Sequence, residues 1–308
     1  MHPTLLCRLL GLLLLTLLAA CESVLQGDCR LTKIAEMPLQ VQDRLLVVPA
    51  GINGKWTQLV VDSGAERTTI SDATAIRLNL PHDARFTNRA MGIGGTTTTT
   101  DVSLDRLVLG GVHFPIDRVA VGTFKLQNER GLSADGLLGA DILLAFDLDI
   151  DVPNNRLTLY RTRMCPNARP PGQETWIEIA GVQARRDRLL LPFELDNAAG
   201  LAILDTGAQG NVLGVDMARR MGLNEQTMVD DRPVRQTGTG PGVALSRLHR
   251  FKRLRIGPVV EESPMITVLQ SDFGVGDALI GEEFLAGRRV WLSFHNRQVF
   301  VSRRVNER

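Results

Sequence analysis

The strongest constraint on this 308-residue chain is that its sequence is written twice. LVVDSGAERTTIS around residue 62 and LAILDTGAQGNVL around residue 205 are each an apolar, strand-like run ending in Asp-[Ser/Thr]-Gly-Ala, and the two aspartates lie 143 residues apart. Self-similarity at a fixed offset calls for two copies of one folding unit. The flanks repeat in step. Upstream, Leu45–Val48 and Trp56–Val61 flank Asn53-Gly54, a hairpin signal, as Leu189–Leu191 and Leu201–Leu204 flank the turn residues 196–200. Downstream come a short helix opened by Ser71 as N-cap and its counterpart Val215–Met221 closed by Gly222.

The repeat continues through glycine turns at Gly92-Ile93-Gly94-Gly95 and Gly238-Thr239-Gly240-Pro241-Gly242, then Leu138-Gly139 and Ile280-Gly281. Both halves close on a strand after an Asn-Arg turn, at Asn155-Arg156 and Asn296-Arg297. Strand signals dominate and the helices are short. The expected fold is therefore all-β, two homologous lobes each with its own core and one cleft between them.

An aspartate closing a buried strand is costly unless donors meet its carboxylate, and the following glycine can supply a backbone N–H with no Cβ in the way. One such tripeptide is weak evidence, since it also arises in turns. Two in register are different, because a pseudo-twofold relation can bring both carboxylates face to face. Like charges that close share a proton over a broad pH range, which leaves one group as base and the other as acid toward a common water.

On these motifs the chain resembles the retropepsin-like aspartic proteases, in a fused two-lobe, single-chain form comparable to pepsin-like enzymes. The stretch Leu137-Leu138-Gly139-Ala140-Asp141-Ile142-Leu143 is close to that of bacterial members. The resemblance implies an acid-protease fold and endopeptidase activity, with Asp62 and Asp205 as the catalytic dyad. Ser63 and Thr206 would exchange hydroxyl hydrogen bonds across the lobes, while Gly64 and Gly207 would offer N–H groups to the carboxylates. Leu138-Gly139 and Ile280-Gly281 would pack beneath the catalytic loops. Gly92, Ile93, Gly94 and Gly95, with Gly238, Thr239 and Gly240, would be flap residues. No cofactor or metal is implied, the partner would be a peptide or protein substrate, and a monomer suffices because both aspartates lie in one chain. A catalytically silent, peptide-binding envelope lipoprotein of the same fold is the alternative.

Two departures separate the chain from the pepsin-like branch. The single tyrosine, Tyr160, lies far from either glycine turn, so neither flap carries one. Ala65 and Ala208 stand where pepsin-like enzymes have a hydroxyl. Fewer donors to the dyad favour its protonated form, so the expected pH optimum is mildly acidic, about 5 to 6.5. Glu66 and Gln209 follow the two motifs and are expected as polar residues at the lobe interface.

The N-terminus reads as an address. The apolar run Leu9–Leu18 after Arg8 is too short for a bilayer core about 30 Å thick and fits a signal-peptide core. Leu18-Ala19-Ala20-Cys21 resembles the bacterial lipoprotein box, which implies cleavage after residue 20, lipidation of Cys21 and a membrane anchor. Glu22 rather than Asp after it favours the outer membrane, with the protein facing the periplasm. An envelope location permits a disulfide between Cys29 and Cys165, with two free thiols as the alternative. The expected division is signal peptide 1–20, lipidated tether 21–38, N-terminal lobe 39–162, linker 163–187 and C-terminal lobe 188–308.

Composition excludes other readings. The chain has 35 basic and 34 acidic residues, a balance that argues against a nucleic-acid partner. Asp147, Asp149 and Asp151 alternate with apolar residues and lack the glycine and closing glutamate of a calcium loop, so they read as a strand with one solvated acidic face. Arg247, Arg250, Lys252, Arg253 and Arg255 read likewise as a solvated strand face, and the five histidines show no metal spacing.

Overall fold

A computed structural model of the chain describes residues 29–305 apart from 123–133, 164, 166–167, 173, 184–187, 239, 241 and 271–275. Cys21 and Thr239 therefore lie outside the described residues. Each Asp-[Ser/Thr]-Gly motif sits near the centre of a ten-stranded sheet. In the N-lobe the order runs His82–Gly92, Gly95–Ser103, Arg118–Gly122, Thr69–Ser71, Gly136–Leu138, Lys55–Val61, Leu45–Ile52, Leu107–Leu109 and Val112–Phe114, with Gln40–Gln42 paired to the side. The C-lobe repeats it place for place: Arg232–Gln236, Ala244–Arg250, Met265–Leu269, Val212–Leu213, Ala278–Ile280, Ala198–Leu204, Leu189–Leu195, Arg253–Ile256 and Val259–Glu262.

The local signals act as the sequence suggests. Asn53 and Gly54 take positive φ of 50° and 78°, the turn that matches strand twist in a two-residue hairpin. The Ser71 side chain accepts a hydrogen bond from Thr74 N and caps helix Asp72–Leu78. Alternate residues of the central strands face opposite sides of each sheet. Leu46, Val48, Leu59, Val61, Ile70 and Leu138 enter the main core, while Val47, Val60 and Leu137 form a separate cluster on the other side.

Four expectations are corrected. The lobes do not have separate cores: one continuous cluster includes Leu46 and Leu138 from the first half and Leu204 and Phe284 from the second. A third, six-stranded sheet makes this possible, because Asp147–Asp151 pairs antiparallel with Arg289–Ser293. The span expected as a tether, 21–38, contributes the strand Arg30–Pro38 to that sheet, paired with Arg156–Arg163. Its apolar positions Ala35 and Met37 are buried, which a free tether cannot offer. The expected linker 163–187 likewise contains Ile177–Ala180, which pairs with Gln298–Val301, and Val182–Gln183, which pairs with Leu189–Leu190.

The acidic face of Asp147–Asp151 is buried rather than solvated. Asp149 receives two hydrogen bonds from Arg289 at 2.8 and 2.7 Å, and Asp151 is met by Arg156 at 3.0 Å and by Asn154. Connection residues cover them, with Trp176 beside the Arg289 guanidinium and the Pro171 carbonyl accepting from it. Pairing with arginine lets charged residues occupy a face that the chain itself buries. Cys29 and Cys165 form a disulfide that continues the ladder between the first strand and Arg156–Arg163.

Candidate active site

Each aspartate stands where a strand ends beneath a parallel neighbour. Asp62 N donates to Leu138 O at 3.0 Å, and Asp205 N donates to Ile280 O at 2.9 Å. The chain then turns sharply, and the freed N–H groups point back at the carboxylates. Asp62 Oδ1 accepts from Gly64 N at 3.0 Å and Ala65 N at 2.8 Å, while Asp205 Oδ1 accepts from Gly207 N at 2.9 Å. Glycine is required by the approach of the opposite lobe. A Cβ on Gly64 would stand 2.5 Å from Asp205 Cγ, and one on Gly207 would overlap Asp62 Cγ. The two carboxyl groups are therefore brought together, each under the other lobe's glycine.

Ser63 and Thr206 lock this arrangement. Ser63 N donates to Thr206 Oγ1 at 3.0 Å and Thr206 N donates to Ser63 Oγ at 3.1 Å. Each hydroxyl then donates across the lobes, Ser63 Oγ to Leu204 O at 2.7 Å and Thr206 Oγ1 to Val61 O at 2.6 Å. All four groups are buried and paired, which fixes the relative position of the two loops. Beneath them, Gly139 N donates to Thr68 Oγ1 and Gly281 N to Asn211 Oδ1.

Burial pushes the Asp62 carboxyl well above the ordinary carboxylate range, reinforced by the neighbouring Asp205 charge and opposed by the Ala65 and Gly64 N–H groups. Burial also raises Asp205, against the pull of Gly207 N–H and the Arg188 guanidinium. Burial thus raises both carboxyls, and two acids so close favour sharing one proton.

The glycine turns are the tips of two hairpins that meet. Gly242 N donates to Gly94 O at 2.8 Å, and a Cβ on Gly238 would stand 3.3 Å from Ile93 Cβ. Gly92–Gly95, Gly238, Gly240 and Gly242 are thus brought together, with Ile93 packed on an apolar cluster of the C-lobe. Glu66 and Gln209 lie at the lobe interface. Arg188 donates to Glu66 at 3.4 Å, and Gln209 donates to Asp43 O at 2.9 Å.

The sequence reading missed the polar groups around Arg67. Arg67 holds Asp101 with two hydrogen bonds of 2.8 Å, and Asp141 accepts from both Thr68 N and Thr68 Oγ1. A shallow pocket of about 350 Å³ opens beside them, lined also by Asn88 and Arg118. Nothing in the repeat signals the Arg67–Asp101 pair, because the C-lobe carries Gly210 and Leu248 at the corresponding places.

Comparison with known proteins follows the same division. Residues 48–142 match the aspartyl protease family, and residues 191–287 match the aspartyl protease family of gag polyproteins. Both halves contain retropepsin-like aspartyl protease domains. Among similar proteins, Protein DDI1 homolog 2 of Mus musculus is 31% identical over 134 residues, covering 43% of this chain and 32% of that protein. The UBA domain-containing protein Mud1 of Schizosaccharomyces pombe is 30% identical over 118 residues, covering 38% and 33% respectively. The matched region spans about a third of the length of these relatives. The aspartic proteinase from Irpex lacteus has the same fold, with a TM-score of 0.52 at 13% identity over 89% of this chain and 97% of that one.

Proposed function

We propose that this protein is an aspartic endopeptidase that cleaves peptide or protein substrates at the Asp62–Asp205 dyad. The observation that carries this reading is the pair of carboxyls held face to face under reciprocal glycines. The ionised member takes a proton from a water held between them, and that water attacks the scissile carbonyl. The protonated member hydrogen-bonds the developing gem-diol, and a proton then passes to the leaving amine. The hairpin tips act as paired flaps over the substrate. Cleavage of an unfolded protein library should be seen with the wild type and lost in both Asp62→Asn and Asp205→Asn. Folded wild-type protein that cleaves no better than these variants would overturn the reading.

The protein acts as a monomer anchored in the cell envelope and facing the periplasm, with residues 1–20 removed and Cys21 lipidated. The Cys29–Cys165 disulfide supports an oxidising compartment. Labelled fatty acid should enter the wild type but not Cys21→Ser, and membrane fractionation of both proteins tests the location.

A further inference from the structure

The two carboxyls are presented by one backbone device, so an unequal charge beside them decides which one ionises. Their backbone donors match: Gly64 and Ala65 N–H groups serve Asp62, and those of Gly207 and Ala208 serve Asp205. The strand ladders locate what else stands beside each. In the N-lobe Val47 pairs with Val60, and the same ladder carried on to the aspartate sets Leu45 opposite Asp62. In the C-lobe Leu190 pairs with Ile203, and the same extension sets Arg188 opposite Asp205. Opposed residues of an antiparallel pair project to one side, with Cβ atoms about 5 Å apart.

Leu45 is buried with Val47, Val60 and Leu137 and offers Asp62 no charge. The Arg188 side chain is only 15% exposed and reaches across to Glu66 of the N-lobe at 3.4 Å. Its Nε is buried without a hydrogen-bond partner, so this long contact to a half-exposed carboxylate leaves part of the guanidinium unmatched. Other charges packed around the two loops are turned elsewhere. Arg67 is bound to Asp101, Asp141 to Thr68 and Asp43 to Gln209, while the Glu282 carboxyl faces Arg44, Glu283 and Arg304. Among the described residues, Arg188 is the cation that distinguishes the two aspartates.

We propose that Arg188 breaks the symmetry of the pair, holding Asp205 as the ionised base and leaving the shared proton on Asp62. This inference rests on the endopeptidase reading and goes beyond it by assigning the two roles. A cation beside one of two carboxyls favours ionisation of that one, and the resulting charge keeps its neighbour protonated. Both effects act here: Arg188 favours charge on Asp205, and the Asp205 charge holds Asp62 neutral. Asp205 takes a proton from the water as its oxygen bonds to the scissile carbon, and Asp62 gives its proton to the carbonyl oxygen. As the C–N bond breaks, Asp205 passes its proton to the amine and Asp62 recovers one from the gem-diol. Arg188 is thus a positioning residue that acts through Asp205.

The test pairs rates with titrations. Wild type, Arg188→Gln, Arg188→Lys and the Asp62→Asn control are assayed on reduced, carboxymethylated casein across the acidic and neutral range. Arg188→Gln should move the acidic limb of kcat/KM to higher pH by about one unit, because Asp205 loses the charge that keeps it ionised. Arg188→Lys restores the charge without the guanidinium's shape and should return the limb, which a merely structural contact would not do. The second arm does not depend on cleavage. Carboxyl NMR of isotope-labelled aspartate follows the remaining member of the pair in Asp62→Asn and in Asp205→Asn, each with and without Arg188→Gln. Loss of Arg188 should raise the titration of the lone Asp205 by about one unit and move that of the lone Asp62 much less. An unmoved acidic limb, or equal shifts of the two lone carboxyls, would overturn the inference alone. Casein cleaved no faster by wild type than by Asp62→Asn would overturn the endopeptidase reading, and the titrations would still decide where the proton sits.

Discussion

The N-lobe and C-lobe share one strand order and one backbone device for presenting an aspartate, yet they support the aspartate loops differently. In the N-lobe Thr68 Oγ1 accepts from Gly139 N and donates to Asp141, whose carboxylate also receives Thr68 N. Arg67 beside it closes a two-point ion pair with Asp101. In the C-lobe Asn211 Oδ1 accepts from Gly281 N, but its Nδ2 is buried without a hydrogen-bond partner. Gly210 and Leu248 replace the ion pair. Backbone geometry is thus what the two copies preserve, because it positions the carboxyls, and the surrounding side chains have diverged.

If the lobes are equal partners in chemistry, either aspartate should be indispensable. Asp62→Asn and Asp205→Asn should each reduce the cleavage rate by at least about 10³-fold, and one variant retaining more than a tenth of wild-type activity would break the equivalence. The next effect is confined to one lobe. Arg67→Ala leaves Asp101, whose side chain is 5% exposed, without its partner. The expected cost is about 2–3 kcal/mol in urea unfolding, since Arg67 itself is partly solvated. Stability unchanged by that substitution would show that the ion pair only decorates the N-lobe.

The dyad also has a stability signature. Because burial raises the Asp62 carboxyl, its neutral form contributes stability that is present at pH values below the ordinary carboxyl range and is lost as pH rises toward the raised value. Asn cannot ionise. The stability difference between Asp62→Asn and wild type should therefore move in the variant's favour as the pH rises from about 3.5 to about 7, as read by thermal unfolding at both values. The smallest effect tests the unpaired amide. Asn211→Thr rebuilds the N-lobe hydroxyl at the C-lobe position and removes the buried Nδ2, so it should be neutral or stabilising by up to about 1 kcal/mol. Thr68→Asn in the N-lobe should destabilise instead, and the opposite ordering of the two would show that the loops are not interchangeable.

The duplication, the hairpin at Asn53-Gly54, the Ser71 cap and the residues of both aspartate loops were all legible from local patterns. Each depends on a few neighbouring residues or on the repeat itself. The six-stranded sheet was not legible, because Asp147–Asp151 and Arg289–Ser293 are more than a hundred residues apart and pair across the repeat rather than within it. The same long-range pairing buried the acidic strand that alternation alone marked as solvated. Local alternation identifies two faces of a strand but cannot say what covers the polar one. Arg67 with Asp101 was invisible for a related reason, since the repeat offers no counterpart and the partners lie 34 residues apart, Arg67 in the aspartate loop and Asp101 on the strand Gly95–Ser103.

By itself the sequence determined that two similar β units would each bring one Asp-[Ser/Thr]-Gly loop, because strand periodicity, turn chemistry and internal repetition are written in adjacent residues. Only the tertiary structure decided that the carboxyls meet under each other's glycines and that the hairpin tips touch. Those features are sums of contacts between distant segments, and they exist only once both lobes close on their shared sheet.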